Sequence, residues 1–179
     1  MHILSIIIIA IIILALALYL AWKSIGDADI QFRIEEHSPF ALEELNTQKA
    51  VFTTKFEVAN EGKQCATIMD CFVRSQLPQE QFNKIRVRAK AELAGSPRED
   101  DYFEAVLIEK HKKISVIIKI ELSVCGNEEE NIKEVLKNVV DIPVDVVYQH
   151  TARHEASLSK KRLVLPADEI NKLCGEKSC

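Results

Sequence analysis

Three observations predict a mainly β fold, an antiparallel sandwich of about eight strands behind a single N-terminal transmembrane helix. Residues 3–21 form an apolar run without a charge. Most of the remaining chain alternates apolar and polar residues with period two, the mark of half-buried strands. Only two short stretches carry helical spacing.

The apolar run holds thirteen Ile or Leu residues and several Ala. As a helix it reaches about 28 Å, close to the hydrocarbon thickness of a bilayer. Insertion is favourable by roughly 6 kcal/mol before end effects. Tyr19, Trp22 and Lys23 stand where a polar interface would begin, a depth that amphipathic rings and lysine favour. A cleaved secretory signal is the rival reading, and Ala15-Leu16-Ala17 resembles its cleavage step. The run is long for that, and no Lys or Arg precedes it. A buried core helix needs a polar face, and none exists. Counting Lys23 and Arg33 after the run favours a cytoplasmic domain, whereas the signal-anchor layout favours one outside the cytoplasm. The second reading is adopted as the expectation.

The expected divisions are a transmembrane helix at 1–22, a linker at 23–28 with Gly26 as its flexible point, a sandwich at 29–166, and a C-terminal helix and tail at 167–179. Roughly 157 of the 179 residues follow the helix, enough for one domain with a real core.

Ile30, Phe32 and Ile34 alternate with polar residues, as do Phe52, Thr54, Phe56 and Val58, and Asn60-Glu61-Gly62 then turns. Residues 64–74 are apolar on both faces, which predicts a central strand. Ile85, Val87, Ala89, Ala91 and Leu93 face in, while Arg86, Arg88, Lys90 and Glu92 face out. A polar loop at 95–101 precedes a strand at 102–109. Residues 114–124 give the longest alternation, broken outward by Ile117. Two last strands are predicted at 144–149 and 161–165.

Asn127 with Glu130 reads as a capping box, opening a helix whose face is Ile132, Val135, Leu136 and Val139 and which Pro143 ends. A second helix is predicted from Pro166 to Leu173, with Gly175 as its stop. One-sided strands argue against a parallel sheet, whose strands read apolar throughout. The predicted architecture is an immunoglobulin-like sandwich with one inserted short helix before the penultimate strand.

A net charge of −4 without a clustered basic face argues against nucleic-acid binding. The five cysteines, Cys65, Cys71, Cys125, Cys174 and Cys179, are odd in number and do not describe a closed disulfide framework. Cys65 and Cys71 read as small buried hydrophobes on one strand face, too far apart to bridge. Cys174 and Cys179 could pair only if the tail turns back.

Candidate chemistry is sparse. His150 and His154 share a face but lack a third metal ligand, unless His37 or Cys125 approaches. Arg98-Glu99-Asp100-Asp101 gathers three carboxylates without calcium-loop spacing, and adjacent acids suit glycoside chemistry poorly. Asp70, between Met69 and Cys71 in an apolar strand, demands a hydrogen-bonding partner from a neighbouring strand. No nucleophile elbow, phosphate loop or dinucleotide fingerprint occurs. No catalytic, metal or cofactor residue is assigned.

Two basic groups are the candidate interaction surface: Arg86, Arg88 and Lys90 on one strand, and Lys160, Lys161 and Arg162 on another. Each has a bland alternative, a solvated face paired across the sheet with acids such as Glu57. Tyr19, Trp22 and Lys23 are the expected membrane interface. The reading is a single-pass membrane protein presenting a binding or scaffolding module. Its expected partners are the bilayer, through residues 3–21, and a protein at the membrane. A tethered hydrolase or a lipid-handling sandwich is the alternative.

Overall fold

A computed structural model describes residues 2–96, 100–125 and 131–176. The chain opens with helix α1, His2–Ile25. The segment Ile3–Ile25 is long and apolar enough to cross a membrane by length and composition. No part of it is buried against the rest of the protein.

Nine strands follow among the described residues: β1 Ile30–Phe32, β2 Ala41–Leu45, β3 Lys49–Asn60, β4 Ala66–Ser75, β5 Ile85–Leu93, β6 Tyr102–Ile108, β7 Lys113–Val124, β8 Ile142–Thr151 and β9 Ser157–Leu165. They form two antiparallel sheets. The first has the order β1-β3-β7-β5, with β2 also paired to β3. The second has the order β6-β4-β8-β9.

The expected period-two residues meet between the sheets. Phe32, Phe52, Phe56, Ile118 and Ile120 of the first sheet share one core with Ile68, Cys71, Phe103, Val144 and Leu163 of the second. Phe32 stacks on Tyr148 with ring centroids 3.5 Å apart, a direct rivet between the layers. Helix α2, Ile132–Leu136, and helix α3, Ala167–Glu176, insert Ile132, Leu136, Ile170 and Cys174 into the same core.

Several expectations are corrected. β2 is a strand that alternation does not reveal, because a bulge between Leu42 and Glu44 breaks its period. Residues 64–74 do hold a central strand, β4, hydrogen-bonded to β6 and β8, but its outer face is half open and Met69 is exposed. A bulge between Ile68 and Asp70 shifts its register on β8. Cys65 lies before the strand and is exposed, whereas Cys71 is buried, so they do not share a face. Glu92 was expected to face solvent and is buried.

The expected capping box at Asn127 and Glu130 falls outside the described residues, as do Arg98, Glu99 and Cys179. The described α2 is capped by Asn131, whose side chain accepts from the Lys133 amide at 3.0 Å. Helix α3 carries on through Gly175 rather than stopping there.

Candidate functional site

The strand registers gather one set of termini at the end of the sandwich where α1 arrives. Asn60 closes β3, Ala66 opens β4, Ile108 closes β6 and Thr151 closes β8. Asn60, 1 % exposed, organises this end. Its Oδ1 accepts from the amides of Asp29 at 3.2 Å and Gly62 at 3.1 Å. Its Nδ2 donates to the carbonyls of Gln64 at 2.7 Å and Ile108 at 3.1 Å. One side chain thus satisfies four backbone groups, those of Gly62 and Ile108 in buried hydrogen bonds.

The segment expected to be a flexible linker is fastened to this end. The amides of Glu61 and Lys63 donate to the carbonyls of Asp29 and Asp27, both at 2.8 Å. Gln64 Nε2 donates to the Ile25 carbonyl at 3.2 Å, and Arg153 Nη1 to the Gly26 carbonyl at 3.3 Å. His154 Nε2 sits 2.7 Å from Asp27 Oδ2, and Asp27 Oδ1 accepts from the Ala28 amide at 2.8 Å. Two glycines make the close approach feasible. Gly26 has φ +67°, a conformation a side chain strains to adopt. At Gly62 an added Cβ would lie 2.3–2.5 Å from the backbone of Asp27, Ala28 and Asp29.

This fastening creates a cleft of about 530 Å³ between the last turns of α1 and the β8–β9 turn. Tyr19, Trp22, Lys23, Gly26, Asp27, Arg153 and His154 line it. The three residues expected to mark an interface therefore share one concavity, and no pattern in the chain foretells that Arg153 and His154 join them. Only the fold brings residues 19–27 and 153–154 together.

The two basic groups lie on different sheets, Arg86, Arg88 and Lys90 on β5 and Lys160, Lys161 and Arg162 on β9. Most of these charges are matched internally. Arg88 Nη2 lies 2.6 Å from Asp101. Lys90 and Lys119 converge on buried Glu92 at 2.9 and 3.3 Å, and Lys119 also reaches Glu43. Burial pulls the Glu92 carboxyl up, but the two ammonium groups outweigh it and hold it below the usual carboxylate range. On β9, Arg162 and Lys160 cover Asp145, 3 % exposed, at 2.9 and 3.2 Å. The Arg162 hydrogen bond holds the Asp145 carboxyl below its ordinary value. Lys161 reaches Glu35 at 3.0 Å. Glu57, expected to face the basic stripe, pairs with Lys113 instead.

The outer face of the second sheet carries exposed apolar side chains, with a polar row of Glu104, Asp70 and Gln149 running between them. The registers place Tyr102, Phe72, Val147 and Lys160 in one row across β6, β4, β8 and β9. Arg74, Asp145 and Arg162 form the next row, and the Arg74 guanidinium stands 5.0 Å from the Phe72 ring centre. Met69, Leu107 and Leu158 on the same sheet are exposed.

The remaining candidates separate. His150 is half-buried on β8 beside Tyr148, while His154 is in the turn against Asp27. Among the described residues no three His, Cys, Asp or Glu side chains converge as a metal site. The Asp70 Oδ1 is buried without a hydrogen-bond partner, so the expected tie to a neighbouring strand is missing. Its cross-strand neighbours are Glu104 and Gln149. Burial pushes the Cys71 thiol well up, and the adjacent Asp70 carboxylate adds to the shift. That describes an inert structural thiol.

No protein-family model matches the chain, and no curated protein matches it in sequence. Among solved structures it is similar to the GAE domain of GGA2p from Saccharomyces cerevisiae, with 10 % identity, TM-score 0.35, 79 % of this chain and 91 % of that one covered. It is also similar to the GAE domain of yeast GGA1, with 8 % identity, TM-score 0.32, 71 % of this chain and 98 % of that one covered. The fold is defined by its own strand topology.

Proposed function

We propose that this chain is a single-pass membrane protein whose sandwich, immunoglobulin-like in type, binds a protein partner at the membrane. One observation carries the membrane half of the reading: α1 leaves its Ile and Leu side chains uncovered along its whole length. An apolar surface of that extent is stable only in lipid or against another apolar body.

The immunoglobulin-like assignment draws support from strand order. β1-β3-β7 follows the A-B-E half of such a sandwich, and β4-β8-β9 the C-F-G half. β5 and β6 depart from it: the strand beside β7 comes before the one beside β4.

The partner contact is proposed on the outer face of the second sheet, around Phe72, Tyr102, Leu107 and Leu158. Lys160 and Arg162 border this patch; Arg86, Arg88 and Lys90 lie on the other sheet and serve as the comparison surface. Exposed aromatic and arginine side chains are the usual anchors of protein interfaces, and this face offers Phe72, Tyr102 and Arg74 side by side. Anchoring at the bilayer raises the effective concentration of the domain for a membrane partner.

A photoreactive residue at Leu107 or Leu158 should crosslink to one discrete protein in intact membranes, while the same residue at Arg86 should not. Equal or absent crosslinking at both faces rejects the contact. The sandwich is proposed to face away from the cytoplasm, and its digestion by protease added to intact cells is the expected result.

A further inference from the structure

We propose that the cleft between the last turns of α1 and the β8–β9 turn binds the headgroup phosphate of an anionic phospholipid, with Lys23 and Arg153 as its cationic contacts. This inference rests on the proposed placement of α1 in a bilayer.

The first argument is charge. Lys23, Arg153 and His154 line one concavity with a single acid, Asp27. Both Asp27 carboxylate oxygens already have partners, the Ala28 amide and His154. Arg153 uses one N–H on the Gly26 carbonyl, and its planar group has further donors to offer an oxyanion. Lys23 has no ion-pair partner among the described residues and stands in the last turn of α1, where the helix dipole favours a cation.

The second argument is the mixed lining. Tyr19 and Trp22 form the wall that continues into α1. Their rings offer apolar surface to a ligand and suit the depth at which phosphates and acyl chains meet. Inorganic phosphate has no use for such a wall, whereas a phospholipid matches both parts of the cleft. Its volume of about 530 Å³ is in the range of small-molecule sites. The third argument is preorganisation: hydrogen bonds fasten residues 25–29 to the turn at 60–64, and Arg153 and His154 to Gly26 and Asp27, so both sides of the cleft are held before any lipid arrives.

The experiment is native mass spectrometry of the full chain in mild detergent, titrated with phosphatidylglycerol or phosphatidylcholine. The expected result is one phosphatidylglycerol adduct, favoured at least about tenfold over phosphatidylcholine and undisturbed by millimolar inorganic phosphate. Lys23→Gln with Arg153→Gln should weaken it about thirtyfold. Lys23→Arg with Arg153→Lys should retain it, which separates lost charge from lost folding. Equal binding of the two lipids, indifference to the Gln pair, or displacement by inorganic phosphate overturns the proposal. An alkaline wash of membranes separates this from the anchor reading. Protein released by the wash defeats both, whereas protein retained without lipid selectivity defeats the lipid site alone.

Discussion

Asn60 and Asp70 are both polar side chains set in apolar strands, and they have opposite fates. Asn60 meets four backbone groups, so Asn60→Ala should leave several of them unsatisfied and cost about 2–4 kcal/mol, read as a lowered urea midpoint at unchanged slope. Asp70 has an oxygen buried without a partner, and Asp70→Val should stabilise the domain by about 1 kcal/mol in the same measurement. Asp145 supplies the pH dependence. Its folded pKa lies below the unfolded one, chiefly through the Arg162 hydrogen bond. The pair therefore contributes its full stability above the unfolded value and loses it as pH falls through the folded one. Wild type should outlast Asp145→Asn by about 1–2 kcal/mol at pH 7, and the gap should close on acidification below about pH 4 in urea melts at each pH. The sequence flagged Asp70 as odd but not Asn60, because a turn-forming Asn and a buried tie look alike until the strands that surround them are placed.

Among the elements, eight strands and both helices were legible because a core between two sheets imposes period two on each strand. β2 was not legible, since its bulge puts Glu43 and Glu44 side by side between Leu42 and Leu45. Glu92 misled for a related reason: its place on the outer face was right, but Lys90 and Lys119 fold over it and exclude water. The basic residues drew notice because charge is visible in one dimension, whereas their acidic partners, Asp101, Asp145 and Glu35, are distant in sequence. The segment 24–28 looked like a hinge because it is short and holds a glycine. Gly62, thirty-odd positions away, makes it a clamp, and Gly62→Ala should force the two apart. Limited proteolysis should then cut within 24–29 at least about tenfold faster than in wild type, with the core strands still protected.

At the level of the molecule, α1 and the sandwich differ in surface chemistry, the one apolar all round and the other polar outside. Helix α1 supplies no residue to the core, so a chain starting at Gly26 should keep its melting temperature within about 3 °C of the full protein, followed by circular dichroism. The same chain should lose membrane association altogether. The apolar run was plain in the sequence because one continuous signal specifies it. The cleft at its end was invisible there, because it needs residues 19–27 and the β8–β9 turn, far apart in the chain, to meet.

The fastening at Asn60 and Gly62 has a mechanical consequence. Helix and sandwich share a heading, so in the proposed single-pass arrangement the side of α1 that meets a neighbour also decides which sheet that neighbour's extramembrane part confronts. Each added residue in a helix advances its face by about 100°. Lengthening α1 by one residue would swing the patch around Phe72 and Tyr102 by that angle about the bilayer normal, like a weathervane turned by its post.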